Sequence, residues 1–495
     1  MWFLLTLVTI VAYCFYRWFE NRCDGNCSLP PGPQGLPVLG YWLGDRPLET
    51  LQRLAKDFGP ICRFRVLGKD YIHLGSCSAI REAYLKTGDA FVGRPHRESA
   101  VTWILDGRGI SQGEGAEWIE HRRFVLHTLR DFNFGHLDVS EIVQEVADQL
   151  AGSVAERTLR PMDPLPLLTT STLSVLAGLL FDRAQMPEGD EEFDTLLELI
   201  TAASEYAFDY LPQLWKGIVP LKMRRNFSEI RRIKQELHDL LNQVIKEHEQ
   251  SFNDSMLRDY LDVYLNERRR AEREGTLASS SFTMHHFRTI CLDLLLSGTA
   301  STATWLHWAL RIMAEHPKVQ QRIQEEMDSL LCADDKFDSV VMRDNLPYTE
   351  ATILEIHRFA SVYSVAMLRT NPEATTLCGF GIPAKSVIIA NLRLAHQDPE
   401  YWDNPGVFDP TRFLGEDGRP EKRDGFLPFS LGKRMCLGEA LTKSVSFIFL
   451  TTLLKKFSFE LCSTDETNSE EAETVLRSPG NYKLFVTPRV QTTTL

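Results

Sequence analysis

Residues 427–457 read LPFSLGKRMCLGEALTKSVSFIFLTTLLKKF. The stretch opens as a loop, with Gly432 inside it, and passes through Cys436 and Gly438 into an apolar run long enough for a buried helix. A cysteine at such a junction faces the positive end of a helix dipole and free backbone N–H groups, and both favour thiolate over thiol. A lone cysteine is usually a small buried hydrophobe. The pattern around this one, Phe429-x-x-Gly432-x-Arg434-x-Cys436-x-Gly438, fixes five residues in ten positions and calls for a more specific account.

The pattern resembles the haem-binding loop of the cytochrome P-450 family, in which the cysteine thiolate is the axial iron ligand. The resemblance implies that Cys436 is the metal ligand of a haem b and that Phe429, Arg434 and Gly438 belong to its cofactor-binding loop. Working back along the chain, YTEATILEIHRF (348–359) contains Glu355-x-x-Arg358, a carboxylate and a guanidinium one helical turn apart. FDPTRF (408–413) matches the family's Pro-x-Arg-Phe element, which implies a buried structural triad of Glu355, Arg358 and Arg412 bracing the haem loop. Two propionates on the cofactor need convergent guanidinium donors. Trp118-x-x-x-Arg122 matches the family's W-x-x-x-R, and Arg369 and Arg434 fall where the family places other propionate partners, so these four are the implied cofactor-binding set. The likeness extends over essentially the whole chain and includes LRDFNFG (129–135) and HQDPEYW (396–402). It is nearest to the animal microsomal type grouped as the family-two clan. That class implies a mainly α fold with a smaller β region, the haem lying between two long helices.

Composition agrees with a folded enzyme. The 495 residues carry 54 Lys plus Arg against 67 Asp plus Glu, a net charge of −13, with 43 % hydrophobic content. Such an acidic balance leaves no basic footprint for nucleic acid. No P-loop or GxGxxG opens a βαβ unit, so a nucleotide fold is unsupported. Ten scattered cysteines with no CxxC pair argue against a disulfide scaffold or zinc module and for a reducing compartment.

The chain divides into three parts. Residues 1–20, MWFLLTLVTIVAYCFYRWFE, are apolar enough to cross a hydrocarbon core of ~30 Å, and Arg17 and Arg22 on the far side put the remainder in the cytosol. The resulting expectation is an endoplasmic reticulum anchor with the catalytic domain cytosolic and the sequons at Asn26, Asn226 and Asn253 unmodified. Residues 28–40 contain LPPGPQGLPVLG, a stiff proline-rich bracket. Residues 41–495 form the haem-binding domain. Helices are predicted at 139–160, 224–250, 284–315 and 318–331, and strands at 61–67, 71–74, 386–390 and 483–486. The acidic stretch 463–474 reads as a solvated loop.

One segment departs from the family pattern. Where the family reads A-G-x-acid-Thr-Thr, this chain reads Ser297-Gly298-Thr299-Ala300-Ser301-Thr302. Ala300 replaces the carboxylate and Ser301 the first threonine, leaving Gly298, Ser301 and Thr302 as the catalytic set, with Gly298 free to loosen the helix for dioxygen and water. Splitting an O–O bond needs two protons, which here must come through ordered water, a side chain such as Asp293, or the substrate. The reading followed is a monooxygenase served by Ser301. The alternative is an isomerase that rearranges a peroxide and needs no relay, and a third class is a non-catalytic haem carrier or sensor.

Electrons in the microsomal class come from NADPH through a flavoprotein reductase, or from cytochrome b5. His121, Arg122, Arg123, His127, Arg130 and Lys433 offer a basic docking patch. Aromatic and basic residues over 206–225 suit either a lipid interface or a core-packed helix connection. A membrane-facing entrance implies a lipophilic substrate, steroid-like, fatty acid or terpenoid, or xenobiotic, with 102–110 and 205–214 as pocket loops.

Overall fold

Apolar residues at helical spacing dominate the chain, and helices dominate the architecture accordingly. A computed structural model describes residues 28–489 apart from 37–38, 96–99, 131–138, 185–189, 208–220, 331–342 and 463–473. The predicted anchor at 1–20, most of LRDFNFG, most of the 206–225 segment and nearly all of the acidic loop lie outside the described residues. Among those described, no helix is long and apolar enough to cross a membrane.

The longer helices in chain order are α1 (Pro47–Phe58), α2 (Gly115–Arg130), α3 (Val139–Ala155), α4 (Leu165–Phe181), α5 (Glu191–Ala207), α6 (Leu221–Ser251), α7 (Tyr260–Arg273), α8 (Met284–Glu315), α9 (Pro317–Leu330), α10 (Pro347–Ala360) and α11 (Glu439–Lys456). The strands are β1 (Ile61–Val66), β2 (Lys69–Leu74), β3 (Arg369–Thr370), β4 (Thr375–Leu377), β5 (Phe380–Ile382), β6 (Val387–Ala390), β7 (Phe457–Leu461) and β8 (Leu484–Pro488). One sheet has the order β1-β2-β6-β3, parallel only at β2–β6, where Tyr71 faces Val387 and Leu74 faces Ala390. Two antiparallel pairs, β4–β5 and β7–β8, complete the β content.

The four predicted helices appear as α3, α6, α8 and α9, and the four predicted strands as β1, β2, β6 and β8. Helix α3 ends at Ala155, five residues early, because Leu159 takes a positive φ of 62° ahead of Arg160 and Pro161. Helix α4 was not anticipated. Its sequence, LPLLTTSTLSVLAGLLF, is apolar all round and buried along most of its length, so it shows no amphipathic stripe.

Helix α8 runs through the middle of the molecule. Its first half packs through Phe287, Ile290, Leu292 and Leu295 into one hydrophobic cluster, and its second half through Trp305, Leu306 and Ile312 into another. Ser297 to Thr302 lie where the clusters meet. The bracket segment lies along β1, with Arg63 N–H donating to Pro31 O at 2.8 Å and Tyr41 N–H to Arg65 O at 2.7 Å.

A buried ion pair fixes the loop that leads to Cys436. Glu355 on α10 is fully buried and Arg358 nearly so, at 0 % and 1 % side-chain exposure. Arg358 Nε and Nη2 grip both Glu355 oxygens at 2.7 Å, Arg412 Nε adds a bond of 3.0 Å, and the Asp409 backbone N–H adds another of 3.0 Å. Arg358 Nη1 then donates to His396 O at 2.9 Å. The His396 ring continues the chain of bonds. Leu427 N–H can only donate, so His396 Nε2 accepts at 2.9 Å, Nδ1 carries the proton, and Ser361 Oγ receives it at 2.8 Å. The triad thus reaches the first residue of the cysteine loop through one neutral imidazole.

Two predictions follow from this wiring. Glu355→Gln leaves two guanidiniums without a charged partner in the core and should cost about 3–5 kcal/mol, measured as a lower urea midpoint at unchanged slope. Burial pushes His73, His307, His357 and His396 each down to about 3, against about 6.5 in an unfolded chain. Between those values the unfolded state takes up protons that the folded state refuses. Stability should therefore be fully present above about pH 6.5 and fall as pH drops toward 3, by up to about 1.4 kcal/mol per pH unit for each histidine. Urea titrations at pH 7, 6 and 5 measure the slope, and equal stability at all three would contradict it.

Candidate active site

The loop before α11 is shaped by close approach. Gly432 has φ +73°, and a Cβ there would lie 2.1 Å from Tyr84 O, so neither the backbone conformation nor the space admits a side chain. Cys436 N–H donates to Phe429 O at 2.9 Å and Met435 N–H to Gly432 O at 2.9 Å, which folds the loop back on itself. Cys436 is thereby held on the wall of a large internal cavity, lying deep in the fold yet accessible from that cavity.

At the thiol the lowering by the helix N-terminus is outweighed. Burial pushes Cys436 up to about 11, more than the Gly438 backbone hydrogen bond and the nearby Arg122 bring it down, and Glu439 adds to the rise. Desolvating an anion outweighs a dipole here. The thiolate form therefore depends on a metal, which deprotonates a coordinating thiol outright.

The cavity encloses about 1760 Å³ of non-atom space, part of it open to solvent. Arg94, Arg122, Arg369 and Arg434 all line it. Arg122 donates to Met435 O at 2.7 Å, and Arg369 to Leu431 O at 2.9 Å and Ser430 Oγ at 3.1 Å. Arg434 Nε donates to Val92 O at 2.9 Å, while its Nη1 is buried with no partner. Burial, with the added repulsion of Arg94, Arg369 and Arg122, pushes Arg434 down to about 8. The lining carboxylate, Asp293, is spent elsewhere: its Oδ2 accepts from Ile110 N–H at 2.7 Å and Ser111 N–H at 2.6 Å. Four guanidiniums and a thiol lining one cavity are the donor set that an iron porphyrin with two carboxylates requires. Cys436 would hold the iron and the arginines the propionates.

Trp118 stands behind Arg434. Its indole N–H donates to Ile110 O at 2.9 Å and its ring is outside the cavity lining, covered by the Arg434 guanidinium at 3.5 Å from its centroid. Its ring supports the Arg434 guanidinium. Arg94, in contrast, went unnoticed in the sequence. It is 7 % exposed and anchored by Nη1 to Leu368 O at 2.7 Å. An arginine flanked by Gly93 and Pro95 carries no spacing relation to the other three, so only the fold brings it in.

On the opposite wall, Ser297, Gly298, Ser301 and Thr302 of α8 face the cavity, and Phe429 and Gly438 face it from the loop. Helix α8 is unbroken from 284 to 315, so Gly298 does not loosen it; a Cβ at Gly298 would lie 2.9 Å from Leu176 Cδ1, and the glycine serves the close packing of α4 on α8. Ser301 O–H donates to Ser297 O at 2.6 Å. Asp293, considered as an alternative proton source, is instead a clamp on Ile110 and Ser111. Ala300 lies on a different face of α8, against a second space shared with Thr169, Ser204 and Glu205. Tyr363, also missed, lines the main cavity together with Ser301. A tyrosine in the link between a buried Glu-x-x-Arg helix and a cavity arginine was the available signal. The lining comes chiefly from the cysteine loop with the start of α11, from α8, from the 361–369 link and from α4. Of the predicted pocket loops, Ile110 reaches the main cavity, Glu205 lines the second space, and 208–214 lies outside the described residues.

Fold and site together define a haem-thiolate oxidoreductase. Comparison with known proteins agrees: the sequence profile of the family "Cytochrome P450" matches residues 30–486, and the chain belongs to that family. It is 30 % identical to cytochrome P450 2J1 of Oryctolagus cuniculus and 31 % identical to cytochrome P450 2J2 of Homo sapiens, each over 497 residues, covering 98 % of this chain and 96 % of the relative. It is 31 % identical over 465 residues to cytochrome P450 2B4 of Oryctolagus cuniculus, covering 92 % of each chain. The chain is accordingly an oxidoreductase of the monooxygenase class, and the family implies haem with thiolate-bound iron.

Cys436→His should abolish the long-wavelength absorbance of the reduced, carbon monoxide-treated protein, and an unchanged band would remove Cys436 from the metal. Arg434→Gln should release haem to an acceptor apoprotein about ten times faster, since a buried charged hydrogen bond is worth roughly 1.5–3 kcal/mol.

Proposed function

We propose that this protein inserts one oxygen atom of O2 into a lipophilic small molecule, with electrons drawn from NADPH through a flavoprotein reductase, cytochrome b5 being a second possible donor. The observation that carries the reading is the chemistry of the cavity wall facing away from Cys436. Val175, Leu176, Leu179, Leu180, Leu294 and Val362 make that wall apolar, which suits a steroid-like, fatty-acid, terpenoid or xenobiotic substrate. Hydroxyls are concentrated at Ser297, Ser301 and Tyr363. When bound, the haem supplies oxygen activation, favoured by electron release from a thiolate. The chain's own part is to bind and orient the substrate, exclude bulk water and hold a proton-bearing hydroxyl at Ser301 Oγ. Ser301 returns its proton to Ser297 O, and a rotation about χ1 turns the same O–H toward the cavity.

The missing acid at Ala300 keeps a second reading in play, an isomerase that works on a hydroperoxide without added electrons. Its support is the sequence departure alone. The monooxygenase reading has the whole distal hydroxyl group behind it, since a peroxide isomerase needs none of it.

Localisation follows the same proposal: an anchor at 1–20, the bracket at 28–40 and a haem domain over 41–495 on the cytosolic face of the endoplasmic reticulum. Of the predicted reductase patch, Arg123, His127 and Lys433 are exposed, Lys433 paired with Asp89. His121 does not belong to it. The residue is 3 % exposed, bonded to Ser281 O at 3.1 Å and packed on Phe282. A negatively charged flavoprotein surface would meet the remaining cations.

Reconstitution with reductase, NADPH and ¹⁸O₂ over a panel of lipophilic ligands chosen by difference spectrum should give a product carrying one ¹⁸O. Turnover of a hydroperoxide without NADPH, with no ¹⁸O incorporation, would replace this reading with the isomerase. Ser301→Ala should lower product formed per NADPH about tenfold, given acid–base contributions of ~10² to 10⁴, with the balance appearing as hydrogen peroxide.

A further inference from the structure

Gln112 ends the short helix Gly109–Gln112 and is 4 % exposed. Its amide joins two segments: Oε1 accepts from Thr102 Oγ1 at 3.0 Å, and Nε2 donates to Met367 Sδ at 3.2 Å. A thioether sulfur has no proton to give, so the amide must present its NH2 group to Met367 and its carbonyl to the Thr102 hydroxyl. Met367 lines the main cavity, and Gln112 stands behind it, outside the lining.

Both ends of the amide–sulfur bond are fixed. On the glutamine side, Ile110 and Ser111 N–H donate to Asp293 Oδ2 at 2.7 and 2.6 Å, and Ile110 O accepts the Trp118 indole N–H at 2.9 Å. On the methionine side, Arg94 Nη1 donates to Met367 O at 3.1 Å and to Leu368 O at 2.7 Å, and Ala366 N–H donates to Ala390 O at 2.9 Å. Methionine is otherwise an adaptable filler of apolar space, because its side chain turns about three bonds. With the backbone and the sulfur each held, only the terminal methyl group is left to turn.

We infer that Gln112 is a positioning residue for substrate selection: it holds Met367 as a fixed part of the cavity wall. A wall that cannot move away rejects a ligand overlapping it, whereas a free methionine repacks around the ligand. Gln112 therefore sharpens selection by shape without touching the substrate. No spacing pattern links positions 112 and 367, so the pairing exists only in the fold.

The inference rests on the monooxygenase reading for its purpose but not for its test. The probes are N-hexylimidazole, linear and flexible, and N-adamantylimidazole, bulky and rigid, whose ring nitrogen anchors each on the iron of the haem-loaded protein. Dissociation constants are read from the absorbance shift, in the parent, Gln112→Leu, Met367→Ala and the pair, each showing the thiolate-type carbon monoxide band. The quantity compared is the ratio of the bulky to the linear dissociation constant. Gln112→Leu should lower that ratio about fivefold, and Met367→Ala should lower it at least as much. The double variant should match Met367→Ala within about twofold, since Gln112 acts through that side chain. A parental ratio in Gln112→Leu, even with a lower thermal midpoint, would make the amide merely structural and overturn the assignment. So would a parental ratio in Met367→Ala, or effects that multiply in the pair. Should Gln112→Leu fail to take up haem, Gln112→Met makes the same comparison with an unbranched side chain. If the parent makes no NADPH-dependent product on any ligand, the functional reading fails by itself, and the imidazole series still decides the role of Gln112.

Discussion

The carboxylate of Glu355 is the constraint from which the site is built. A buried anion is tolerable only when surrounded by donors, and this one has Arg358, Arg412 and a backbone N–H. Satisfying it ties helix α10 to the segment around 403–412, and the remaining nitrogen of Arg358 carries the tie on to His396. From there a neutral imidazole, locked in one tautomer by Leu427 and Ser361, sets the start of the cysteine loop. The position of Cys436 relative to the opposite helix is thus set by hydrogen bonds to a group well away from the cavity. Apolar packing alone would leave the loop free to shift, because it is non-directional.

The opposite half of the cavity is made by a different device. Two hydrophobic clusters share α8, and the cavity opens at their junction, where the helix presents serines and a glycine in place of large apolar residues. The small side chains admit α4 on one side and leave hydroxyls facing inward on the other. Two of these hydroxyls bond back to the helix, Ser297 to Asp293 O and Ser301 to Ser297 O.

What the sequence disclosed and what it hid divide along physical lines. The cysteine loop, the Glu-x-x-Arg turn and the central helix are local patterns, in which the residues that act together are near neighbours in the chain. They could be read directly. Arg94 and Tyr363 reach the cavity from separate segments with no fixed spacing to the cysteine, so only the tertiary structure joins them. Helix α4 was missed because a helix buried on all sides has no periodic stripe. His121 was misread for a related reason. Its residue type fitted the role assigned, but the imidazole is taken by Ser281, a partner remote in sequence. The thiol of Cys436 shows a competition of magnitudes that sequence cannot weigh, since the helix dipole is visible in the pattern and the depth of burial is not.

Asp293 and Gly109 bear on how this cavity can change. A Cβ at Gly109, where φ is +74°, would fall 2.8 Å from Asp293 Oδ2, the atom that receives Ile110 and Ser111. The residues at this edge of the roof are therefore tied to α8 through backbone atoms, whose bonds do not depend on side-chain identity. Substitution at Ile110 can resize the cavity without releasing that edge, whereas substitution at Gly109 or Asp293 disturbs α8 as well. Diversification toward new substrates has its open ground on the α4 wall and in the 361–369 link. A lineage exploring new ligands from this starting point would be channelled toward Leu176, Leu179, Leu180, Val362 and Met367, side chains that can be exchanged singly without undoing the connection between roof and helix.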